Sequence, residues 1–71
     1  MNVGTVKQFE GGYGFIVPDD GGPIVFVFWK EIDMEGFKSL EVGQRVAYEL
    51  SKSTNGYKNR AVNVRILEDP Y

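Results

Sequence analysis

The side chains best suited to act on a ligand are rings. Tyr13 and Phe15 stand two apart in GYGFIV, residues 12–17, and Phe26 and Phe28 stand two apart in VFVFWK, residues 25–30. In an extended chain, residues two apart share a face. Each stretch therefore presents a pair of rings on one side, and Gly14, Ile16, Val25 and Val27 on the other. Flat rings suit flat ligands. Every unpaired nucleobase offers a π-face, and stacking it on an aromatic side chain is worth about 1–3 kcal/mol with little regard to its identity. Double helices hide those faces, so the ligand these rings imply is single-stranded. Trp29 stands at the rim of the set, and Lys7 and Lys30 would meet phosphates. Lys38, Lys58 and Arg60 are looser candidates for the same role.

Other chemistry is poorly supplied. The 71 residues include no histidine and no cysteine, which removes the commonest general base, the commonest metal ligand and any disulfide. The adjacent carboxylates Asp19 and Asp20 lie between Pro18 and Gly21-Gly22, and read as turn formers rather than a catalytic pair. A non-enzymatic chain without metal or cofactor is expected. Eight basic residues against ten acidic ones leave a net charge of −2, which weighs against binding driven by charge alone. Stacking is not subject to that objection. No apolar run is long enough to span a bilayer and no leader pattern follows Met1, so a cytoplasmic protein with no membrane partner is expected.

The rings need a scaffold, and glycine and proline divide the chain into short pieces suited to strands. Val3–Phe9 is β-branched and partly alternating; Gly11-Gly12 is able to make a tight hairpin turn; Tyr13–Val17 forms a second strand. The loop Pro18–Pro23 leads to a third strand, Ile24–Trp29. One helical turn over Lys30–Asp33 and a long irregular connection over Met34–Gly43 follow. Gln44–Ser51 is a fourth strand, Asn55-Gly56 a hairpin turn, Tyr57–Leu67 a fifth strand with Ala61, Val62, Val64 and Ile66 as its apolar set, and Glu68–Tyr71 a frayed tail. One domain over residues 1–71, built as a small closed barrel of five strands, is predicted.

The simplest assembly puts Ile16, Val25 and Val27 inside that barrel and the four rings outside, with Gly14 at a crowded or sharply curved point. Strand aromatics more often fill cores, and a loop anchored by Phe37 in GFKSL could fold over the rings instead. An exposed ring cluster could equally dock a protein or a second copy of the chain. A monomer is expected, with a dimer through this face as the alternative.

GYGFI, then VFV, GFKSL, GQRV and AVNV, in that order across Gly4 to Leu67, resemble the cold-shock domain family. The resemblance implies an all-β, five-stranded antiparallel Greek-key barrel, the OB-fold, which binds single-stranded RNA and DNA and acts in bacteria as an RNA chaperone. It further implies ligand contacts at Lys7, Tyr13, Phe15, Phe26 and Phe37. Phe28 stands where the family has a stacking His, and Trp29 where it has the following Phe. Other departures are marked. The usual Lys-Trp-Phe-Asn is Lys7-Gln8-Phe9-Glu10, so a stacking Trp is lost and a carboxylate gained. The first turn is two residues shorter, and Gly11 replaces the Lys before the first motif. Ile24 replaces an Asp, and Lys58-Asn59 replaces Gly-Pro. These changes imply weaker binding in a divergent or redesigned member.

Overall fold

Alternation is strictest in the second and third strands, and the barrel is organised around them. The computed structural model describes residues 2–36, 38–51 and 59–69. Strands β1 (Asn2–Glu10), β2 (Tyr13–Pro18), β3 (Val25–Phe28), β4 (Arg45–Ser51) and β5 (Arg60–Glu68) close into a barrel in the order β1-β2-β3-β5-β4. All neighbouring pairs are antiparallel except β3 and β5, which run parallel and close the barrel. Val6, Ile16, Val25, Val27, Val46 and Val64 fill the interior, with Tyr48 as the largest fully buried side chain. Among the described residues, no helix is long and apolar enough to cross a membrane.

The β1–β2 turn follows from its two glycines. Gly11 and Gly12 have φ of 67° and 91° between the paired residues Glu10 and Tyr13, the positive values that a two-residue hairpin of primed type requires. Asp20 then caps its own loop, its Oδ1 accepting the Gly22 N–H at 2.8 Å, as a turn-forming carboxylate does. Asp19 does different work: its carboxylate accepts from the Arg45 guanidinium, with Nη1 to Oδ1 at 2.7 Å, and ties the loop to β4.

Three expectations need correcting. The third strand is shorter than its apolar run: Ile24 is exposed outside it, and Trp29 opens a 3₁₀ turn, Trp29–Glu31, instead of closing the strand. The helical turn consequently starts one residue before Lys30. In β5 the alternation breaks at Asn63, whose φ is 52°. Against β4 the register passes from Ala47↔Arg65 to Glu49↔Val62, an extra residue on β5 that defines a bulge. Ala61 and Val64 are therefore both buried although three apart, while Val62 and Ile66 are only partly covered. A period of two cannot show this.

The long connection is irregular but anchored. Ile32 bridges Val64, and Ile32 and Leu40 join the core. Gln44 is buried, its Oε1 accepting from the Glu41 N–H and its Nε2 donating to Asp69 at 3.0 Å. Glu68 completes β5, and Asp69 is held by that hydrogen bond. Asn55-Gly56 and residues 70–71 lie outside the described residues.

Candidate nucleic-acid interface

The site is built by the register of β2 on β3. Tyr13 pairs with Phe28 and Phe15 with Phe26, while Gly14 pairs with Val27 and Ile16 with Val25. Directly opposed residues share a face, so the pairing merges two pairs of rings into one cluster and buries the aliphatic set behind it. Phe26 is the hub. Its ring stacks on Tyr13 with centroids 5.7 Å apart and planes 5° apart, and meets Phe15 edge-on at 5.0 Å. A tilted contact with Phe28, also at 5.0 Å, completes the row. Such pairs contribute roughly 0.5–1.5 kcal/mol each beyond the area they bury. Tyr13 is 48% exposed, and Phe15, Phe26 and Phe28 are half-buried. The rings support one another and still face solvent.

Gly14 shows why the neighbouring strand can come so close. A Cβ there would lie 2.0 Å from the Gln8 carbonyl oxygen and 2.7 Å from the Phe9 Cα. Only a residue without a side chain fits. The curvature arises in β1, where the register steps from Val6↔Ile16 to Gln8↔Phe15 and leaves Lys7 as the extra residue of a bulge. Lys7 is exposed on that bulge. Gln8 and Glu10, opposite Phe15 and Tyr13, border the rings on the β1 side.

Trp29 and Lys30 lie beyond the end of β3, both exposed. The Trp29 N–H donates to the Gly12 carbonyl at 2.8 Å, and its ring lies against the β1–β2 turn. Trp29 also lines two clefts. One holds Phe9, Gly12, Lys38 and Ser39 beside it; the other is formed with Phe28, Lys30, Glu31 and Arg60. Tyr13, Phe15, Phe26 and Phe28 thus form one cluster, Trp29 and Lys30 flank it, and Lys7 stands apart on β1. Phe37 and Lys58 lie outside the described residues.

Two neighbours of the rings were hard to find in the sequence. Arg60, only a looser candidate there, is opposite Phe26 in the parallel β3–β5 pair. Glu31, which no sequence signal singled out, lies on the 3₁₀ turn with its carboxylate 3.9 Å from Arg60 Nη2. Among the described residues no group of three carboxylates could hold a metal ion. The groups with displaced pKa lie elsewhere. Arg45 is raised by its hydrogen bonds to Asp19, and Tyr48 by burial first and by the charges of Asp20 and Asp19 second.

Comparison with known proteins agrees with this geometry. A family model described as the 'Cold-shock' DNA-binding domain matches residues 2–67. A protein named cold shock-like protein from Aquifex aeolicus (strain VF5) is 48% identical over 66 residues, covering 90% of this chain and 91% of its own length. Cold shock protein CspA of Rhizobium meliloti (strain 1021) is 45% identical over 67 residues, 92% of this chain and 97% of its own. A cold shock-like protein of Thermotoga maritima is 46% identical over a stretch of the same length.

Proposed function

The chain belongs to the cold-shock domain family, and on that premise we propose that it binds single-stranded RNA and DNA by stacking bases on Tyr13, Phe15, Phe26 and Phe28. Trp29 bounds the stacking face, and Lys7 and Lys30 contact the backbone. Phe37 and Lys58 are assigned to the same interface on sequence grounds. In the cytoplasm such binding would act as an RNA chaperone does, by holding strands unpaired. The observation that carries the reading is the four-ring cluster converging on Phe26 while Tyr13 remains half-exposed. Four rings of a monomer are left at the surface only when something else covers them, and bases do so with about 1–3 kcal/mol each.

With a net charge of −2 and few cations near the rings, stacking must supply most of the affinity. Neutralising about three phosphates on a single strand gives a salt slope near −2, since each contributes about −0.7. Titrating oligothymidine into the protein should quench Trp29, the chain's single tryptophan, and give that shallow slope. Unchanged emission, with no mobility shift of the oligonucleotide at low salt, would sink the reading. A particle size that grows with protein concentration, without a response to oligonucleotide, would assign the rings to self-association instead.

A further inference from the structure

We infer that the cleft at the end of the ring face, formed by Phe28, Trp29, Lys30, Glu31 and Arg60, reads one base of the bound strand and prefers guanine. This rests on the stacking reading above and adds a base preference to it. The cleft is set where β3 ends and the parallel β5 begins, so Arg60 enters the same face as Phe26 and stands beside the rings.

The two part-buried arginines of the described barrel differ in how their donors are used. Arg45 gives two hydrogen bonds to the Asp19 carboxylate and a third to the Thr5 hydroxyl at 3.2 Å, which makes it a structural tie between elements. Arg60 has no such set. Its buried Nε–H has no hydrogen-bond partner, and its closest acidic neighbour among the described residues, Glu31, is at 3.9 Å, outside hydrogen-bonding range. The side chain is anchored by burial at its Nε end, while among the described residues its terminal N–H groups make no hydrogen bond and about a third of it stays exposed. An unpaired buried donor is costly, and Glu31 lies too far away to relieve it.

A cation beside a carboxylate matches one base edge best. Guanine presents two acceptors, O6 and N7, which suit an arginine fork. Next to O6 on the ring lie the N1–H and N2–H donors, which suit a carboxylate. Thymine and uracil offer half of this, one acceptor and one donor. Adenine turns an amino donor toward the arginine and has no ring N–H for Glu31, and cytosine likewise presents its amino group. With a base stacked on Phe28 or Trp29, Arg60 would take O6 and N7 while Glu31 accepts from N1 and N2. The order of preference is guanine, then thymine or uracil, then adenine and cytosine.

Fluorescein-labelled seven-nucleotide thymidine strands, with one dG moved through each position, test this by fluorescence anisotropy. At one register, dG should tighten binding about tenfold over thymidine, and dA or dC at that register should weaken it. Replacing that guanine by 7-deazaguanine, which lacks N7, or by hypoxanthine, which lacks the 2-amino group, should each return part of the gain. Arg60→Gln should abolish sensitivity to the 7-deaza change, and Glu31→Gln sensitivity to the 2-amino group, each weakening all-thymidine binding less than it weakens binding of the dG strand. Equal affinity for every strand overturns the guanine reader and leaves base stacking standing. A guanine preference that survives both substitutions overturns it as well. If no strand binds, both readings fall.

Discussion

The two faces of paired strands β2 and β3 arise from one alternating pattern and serve opposite ends. Behind the sheet, Ile16, Val25 and Val27 are closed off from solvent and mesh with Val6, Val46 and Val64. In front, rings of much greater area touch one another yet stay partly open. If burial alone governed the design, the largest apolar groups would lie inside. Here branched aliphatic residues of β2 and β3 line the interior, where Tyr48 of β4 is the largest buried group, and the aromatic area of these two strands is spent on the outer face. Shape complementarity governs the inner face, and availability to a flat ligand the outer one.

The sharpest way to break this contrast is at Gly14, which lies on the inner face but is crowded by backbone. Gly14→Ala drives a Cβ into the Gln8 carbonyl and should cost on the order of 4 kcal/mol, at the upper end of overpacking effects, read as a collapse of the urea midpoint. Ile16→Ala, fully buried on the same face, should cost about 3 kcal/mol while the protein that remains folded binds oligothymidine unchanged. If binding fell in proportion to stability, the faces would not be separable. Phe26→Ala is the converse experiment. It removes the ring that all the others touch and should lose about 2 kcal/mol of oligonucleotide affinity, with a smaller shift in the melting midpoint. Normal binding by this variant would make the rings structural supports.

Two weaker tests address charges held away from the rings. Tyr48 has its pKa raised above the ordinary 10.0 by burial and nearby carboxylates. The unfolded chain ionises this phenol near that value while the folded one keeps its proton, so the unfolded state binds fewer protons and stability declines as pH rises past 10. That contribution is intact below pH 10, and Tyr48→Phe should flatten the alkaline fall in denaturant midpoint. The smallest effect belongs to the Arg45–Asp19 pair, whose side chains are 38% and 44% exposed. Asp19→Asn should lower the denaturant midpoint only slightly, as loss of an exposed ion pair does, and leave binding untouched, in contrast with Arg60→Gln.

How much could be read beforehand depended on the range of the interaction. Tyr13–Val17 and Val25–Phe28 alternate strictly, so the sharing of faces was legible, as was the Gly11-Gly12 turn. Trp29 was misread as strand because it extends the apolar run from Val25 to Phe28; nothing local shows that its N–H turns to the Gly12 carbonyl. Val62 was misjudged because one left-handed residue, Asn63, shifts the phase of the strand, whereas Ile66, in phase with Val64, packs against the core. Lys7 was picked out by type, but its place on a bulge follows from pairing with β2.

By itself, then, the amino-acid sequence determined which side chains accompany one another: alternation is a property of the extended backbone and needs no partner strand. The five apolar stretches and the Gly11-Gly12 turn likewise follow from local preference. Only the tertiary structure decided which groups meet. Joining the pairs of rings into one cluster required the β2–β3 register. Setting Arg60 and Glu31 at its end required β5 to close the barrel parallel to β3. The β3–β5 pairing links residues more than thirty positions apart in the chain, as Phe26 and Arg60 are, and no period within any one strand encodes it or the β2–β3 register.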